Sequence, residues 1–271
     1  MNLPSFFNII ITSFFQLLAL VGVVIAVGFT LGIIERYAHS YLTKTFGQKG
    51  VLLTAWIGTP IHEIGHLLMC FIWGHRVTKV KLLQLNPTNG VLGYVEHQYN
   101  QTSMYQQIGL FFIGLGPIFS GIGSLVLGMY FMLPNMFEKL THYILYEISL
   151  DETTVVGIVA ETLSFLFENL ITIDNLINPM FWLYIILAIC ISSHIALSRA
   201  DIEGASRGLI ALFIALLLFN FVAIFLGIDS QHMIAKITAY NLYVLAFSSI
   251  ALLFSLVTLL FSYLIYRWRK S

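Results

Sequence analysis

The 271-residue sequence predicts a mainly α protein: a polytopic membrane bundle of about six helical spans, with a small β-hairpin or sheet between the second and third spans. Three observations predict it. Hydrophobic residues make up 58% of the chain and charged residues only 10%, too little charge to wet the surface of a soluble domain. The apolar residues gather into runs long enough to cross a hydrocarbon core of about 30 Å, over residues 7–34, 51–73, 106–133, 179–198, 207–228 and 239–266. Between the second and third runs the pattern changes, because "HRVTKVKLLQLNPTNGVLGYVEHQYN" (75–100) carries β-branched residues in partial alternation on both sides of an Asn-Pro-Thr-Asn-Gly cluster.

The first run is too long for a signal-peptide core and lacks a positively charged leader, so residues 1–50 are expected to be a retained first span and an outer loop. A further apolar stretch, Val155 to Ile173, contains Glu161 and Glu168. Two carboxylates are costly on a lipid-facing helix, and an interfacial or re-entrant helix is expected there. The last two runs form a C-terminal pair of spans within 205–271.

Six spans would bring both termini to one side. Arg267, Arg269 and Lys270 follow the last run directly, and the bias of basic residues toward the cytoplasm makes that side the inner one. Arg76, Lys79, Lys81, Arg199 and Arg207 fall on the same side, against Arg36, Lys44, Lys49, Lys139 and Lys236 opposite. The expectation is a multi-pass protein of the cell membrane with both termini cytoplasmic. Formal net charge is zero and no basic run occurs, so nucleic acid is not an expected partner. Cys70 and Cys190 both lie inside apolar runs, where a disulfide framework is not expected.

The chemistry concentrates in "TPIHEIGHLLMC", residues 59–70 of the second run. His62 and His66 are four apart and stack on one helix face, with Glu63 beside them. This H-E-x-x-H pattern offers two imidazoles as half of a tetrahedral zinc site and a glutamate able to act as general base on a metal-bound water. Three such side chains in an apolar span are expensive unless something compensates them, and zinc is a compensation that uses those residue types at that spacing. A polar patch binding a neighbouring helix, or a proton or ion path through a transporter, would use the same residues.

With these residues in place, the chain resembles the site-2 protease family of intramembrane zinc metalloproteases. "HEIGH" in the second run, the β-rich segment after it and "GLGPIFSG" in the third run follow that family's order over residues 51–204. The resemblance implies a catalytic core within the membrane, one Zn2+ per chain, and a membrane-spanning or membrane-anchored protein as substrate. It implies His62 and His66 as metal ligands, Glu63 as catalytic base, and a third ligand from an Asp near a Gly. Here that Asp is Asp201 of "SRADIEGASRG", with Ile202 and Glu203 before Gly204. The family's third-span motif carries Asn where this chain has Ser120, three residues after Pro117. His194 or Glu203 would be alternative third ligands. In a membrane zinc peptidase of the kind that trims prenylated proteins, a downstream Glu such as Glu161, Glu168 or Glu203 would serve.

Overall fold

The computed structural model describes residues 6–85, 90–147 and 155–270, and over them the chain is mainly α with one small sheet. The first helix, α1 (Phe6–Phe46), is followed directly by α2 (Gln48–Ile72). Strands β1 (Arg76–Lys81) and β2 (Tyr94–Gln98) then pair antiparallel with an irregularity between Val77 and Lys79. The expected hairpin is present, although Asn86 to Asn89 of its turn cluster lie outside the described residues.

Helices α3 (Met104–Gly114) and α4 (Gly116–Met132) follow, bent by 54° at Leu115. Pro117 lies in the first turn of α4, where its missing N–H costs no intrahelical bond and the new helix direction begins. After α5 (Pro134–His142), a π-helical turn, α6 (Val155–Leu170) and α7 (Ile173–Ile177), the chain enters α8 (Pro179–Ser192). It ends with α9 (Arg199–Leu226), α10 (Ser230–Thr238) and α11 (Asn241–Lys270). One buried apolar cluster runs from Leu17 on α1 through Leu125 on α4 and Tyr184 on α8 to Phe254 on α11.

Three described stretches are long and apolar enough to cross a membrane: Phe6–Phe46, Arg199–Leu226 and residues 230–270; the bent pair α3–α4 makes a fourth if it crosses as one. The protein is therefore a membrane protein. Hydropathy alone predicts six runs, and among the described residues three or four helical stretches meet the length and composition of a span. At 14 residues, α8 is about 21 Å long, short of a 30 Å core. Its Tyr184 hydroxyl bonds the Leu125 carbonyl of α4, and beyond its end Ile195 packs at Gly121. Ala205 and Gly208 of α9 then pack at Gly114 and Phe111 of α3. So α8 and α9 lie head to tail along the bent pair.

The first and last helices lie side by side. Asn241 at the start of α11 donates to the Ala19 carbonyl of α1 at 2.6 Å. Further along, Tyr263 and Tyr266 meet the Tyr41 ring, and Arg269 donates to the Thr45 carbonyl. The two helices run parallel, so the tail lies beside the α1–α2 turn and at the opposite end from Phe6. On α6, Ile158, Thr162, Leu166 and Leu170 are buried while Glu161 and Glu168 are exposed.

Candidate metal centre

Two helices touch backbone to backbone beside the H-E-x-x-H motif. A Cβ added at Gly116 would lie 2.6 Å from the Gly65 carbonyl oxygen, and one added at Gly65 would strike the Gly116 carbonyl. Only glycine at both positions lets α2 and α4 approach this closely. The approach brings the Ile113 carbonyl, at the end of α3, within 2.8 Å of His66 Nδ1. On the neighbouring turn, His62 Nδ1 lies 2.8 Å from the carbonyl of His194, just past the end of α8. A carbonyl only accepts, so each histidine carries its proton on Nδ1 and turns a bare Nε2 lone pair inward.

Those two nitrogens lie 3.2 Å apart. Asp201 faces both, with Oδ1 at 3.2 Å from His66 Nε2 and Oδ2 at 3.6 Å from His62 Nε2. Its placement follows from the sequence around it. Ser198 caps α9 by accepting from Asp201 N–H, while Asp201 Oδ2 accepts from Ser198 N–H at 2.7 Å, a reciprocal capping box. Because α8 is short, this capped N-terminus begins inside the bundle, at the depth of His62 and His66. One atom each of His62, His66 and Asp201 can thus converge on a metal ion.

The donor set fits zinc. With both rings neutral and donating through Nδ1, three lone pairs face one another, an arrangement that a cation at their centre relieves. Two imidazoles and a carboxylate are also the ligand set that leaves a catalytic zinc one open position, and the carbonyls of Ile113 and His194 fix the ring orientations from behind.

Glu63 is buried, and it lines the same cleft of about 940 Å³ as His62, His66 and Asp201. The loop between β1 and β2 closes over it. A Cβ added at Gly93 would lie 2.7 Å from Glu63 Cγ, so glycine is what allows this strand to rest on the glutamate. No motif marks Gly93, or the carbonyls of Ile113 and His194, as parts of this site. Thr59 also lines the cleft, its hydroxyl buried without a hydrogen-bond partner.

The other sequence candidates do not join this set of ligand atoms. Ser120 donates to the Ile61 carbonyl at 2.8 Å and so ties α4 to α2 without lining the cleft. Glu203 is exposed and outside the cleft lining, as are Glu161 and Glu168. His194 is buried, with Nε2 3.0 Å from the Thr54 hydroxyl. Cys70 and Cys190 are buried free thiols.

Outside the helices, two more histidines anchor the sheet. His75 Nε2 lies 2.8 Å from the Gln106 carbonyl, which makes it the donor and leaves His75 Nδ1 to accept from His97 Nδ1 at 3.0 Å. Burial, then the neighbouring His75 and His66, pushes His97 down to about 4. Burial also lowers His75, against the bond to Gln106. The chain matches no protein-family model, no curated protein and no solved structure.

Proposed function

We propose that this protein is an intramembrane zinc endopeptidase, cleaving a peptide bond in a membrane-spanning or membrane-anchored protein. The observation that supports it most is the convergence of His62, His66 and Asp201, each histidine held through Nδ1, beside a buried glutamate in one cleft. Zinc, when bound, supplies the Lewis acidity that makes water a nucleophile near neutral pH and polarises the scissile carbonyl. The chain's own residues do the rest. Glu63 accepts the proton from the attacking water and delivers it to the departing amine nitrogen. Glu63 is held at the cleft wall under Gly93, so it is in place before substrate arrives.

A substrate helix has its carbonyls occupied by intrahelical bonds and must unwind locally before it can be cut. The two-stranded sheet at the cleft rim has free edges that can take up the unwound segment as an added strand. The protein is multi-pass in the cell membrane, with the hairpin end and the tail end facing opposite sides.

Glu63→Gln tests the catalytic part. The amide keeps the volume but cannot take a proton, so cleavage of a membrane-embedded substrate falls by about 10²–10⁴-fold while zinc stays bound, whereas His62→Ala loses both. Normal turnover by Glu63→Gln protein in that assay overturns the proposal.

A further inference from the structure

A second cluster of the same chemistry lines the cleft. Glu35 and His39 lie one turn apart on α1, with Glu35 Oε1 3.8 Å from His39 Nδ1. The His39 and His194 rings are 4.9 Å apart between centroids. One nitrogen of each histidine and one oxygen of Glu35 fall within 4.8 Å of one another. All three residues line the cleft that holds His62, His66 and Asp201.

Two features mark this cluster as more than packing. His39 Nε2 is buried and has no hydrogen-bond partner among the described residues, a costly state for an imidazole nitrogen in the interior of a bundle. Glu35 accepts from Ala196 N–H at 2.9 Å but has no Lys or Arg ion-pair partner among the described residues. A carboxylate and two imidazoles from two places in the chain, with an orphaned nitrogen and no fixed positive charge, form a set that a cation completes.

We propose that Glu35, His39 and His194 bind a second divalent transition metal of the zinc type. Imidazole nitrogens favour zinc and its neighbours over calcium or magnesium, whose sites are built from oxygen. Zinc ligands lie about 2.0–2.2 Å from the metal, so side chains now up to 4.8 Å apart draw together on binding. The site also bears on the first one. Glu35 holds Ala196 N–H, two residues from the carbonyl that orients His62, so metal at the second cluster stiffens the support of a ligand of the first.

The test is metal content of the full chain, purified in detergent and equilibrated with zinc. The expected result is two zinc ions per chain in the wild type, one in His62→Ala/His66→Ala, one in Glu35→Gln/His39→Ala, and none in the fourfold variant. Glu35→Gln keeps an amide oxygen to accept from Ala196 N–H, which guards the fold. Should His39→Ala not fold, Glu35→Gln alone is made in the His62→Ala/His66→Ala background and titrated with Co2+. Loss of the d–d absorption seen in the parent supports the site, and unchanged absorption overturns it. Full wild-type zinc in Glu35→Gln/His39→Ala likewise overturns it. Zinc lost from that variant but unchanged in His62→Ala/His66→Ala would leave the second site standing and remove the metal from the proposed catalytic one.

Discussion

The two donor clusters in the cleft are built from the same residue types and differ in how far they are assembled. In the first, the inward atoms of His62, His66 and Asp201 are 3.2–3.6 Å apart and each outer nitrogen is already spoken for by a carbonyl. In the second, Glu35 Oε1 and His39 Nδ1 stand 3.8 Å apart and one nitrogen of His39 is orphaned among the described residues. Three fixed backbones meet at the first cluster: α2 against α4 through Gly65 and Gly116, and the capped start of α9. At the second, α1 meets the irregular segment 193–198, where the backbone follows no repeating hydrogen-bond pattern. The difference teaches that preorganisation here comes from backbone contact and capping, since the chemistry of the ligands is shared.

The clusters also sit at different depths, and this gives the largest expected effect. Thr54, which bonds His194, lies eight residues before His62 on α2, or about 12 Å nearer the α1–α2 turn. The second cluster thus faces the end of the bundle that carries Arg267, Arg269 and Lys270, and the first faces the hairpin end. Reporters inserted in the loop after Leu85 and fused after Ser271 are expected to be active on opposite sides of the membrane, an all-or-none result. Both active on one side would mean that α8 and α9 cross the membrane separately.

A second prediction separates structural from metal-binding work at Asp201. Asp201→Ala would remove a ligand and also half of a capping box, at a cost of about 0.5–2 kcal/mol to the helix. Asp201→Asn still accepts from Ser198 N–H, so the cap survives while the carboxylate is lost. Activity is expected to fall by more than the roughly 10–100-fold that loss of an outer partner of a metal ligand costs, with lower zinc occupancy and little change in melting temperature. Glu203→Ala should leave both activity and zinc unchanged. An active, zinc-replete Asp201→Asn protein would take Asp201 out of the centre.

The first cluster was half visible in the sequence because a four-residue spacing on a helix is a statement about space. Asp201 came from motif order, 135 positions beyond His66, and its reach to the histidines depended on α8 being short. Hydropathy does not record direction. The segment "SSHIALS" (192–198) is uncharged and continues an apolar run, so nothing in its composition marks the break. The break exists because the His194 carbonyl is turned to His62 and the Ala196 N–H to Glu35, both tertiary contacts. The second cluster was hidden for a related reason. Glu35 and His39 have the right spacing, but their partner lies 155 residues on from His39, and only the packing of α1 against that break unites them.

The smallest expected effect concerns the hairpin, which covers the first cluster through Gly93 and Glu63. Its anchor is the contact between His75 and His97, in which one ring donates and the other accepts. A single proton can be added without losing that bond, but with both rings protonated two donors face each other at 3.0 Å. Burial holds His75 below its ordinary value, and burial with its charged neighbours pushes His97 down to about 4. Between that value and the ordinary one near 6.5, the released hairpin binds more protons than the docked one. Docking is therefore strongest above pH 6.5 and weakens as pH falls toward 4. Backbone amides of β1 and β2 should exchange faster with solvent at pH 5 than at pH 7.5, after correction for intrinsic exchange rates, while those of α2 and α4 hold. His97→Gln should flatten this dependence, because its amide can still donate to His75 but does not titrate. An unchanged pH profile in His97→Gln protein would move the anchor of the hairpin away from this pair, and leave the contact between Gly93 and Glu63 as what holds the cover on the first cluster.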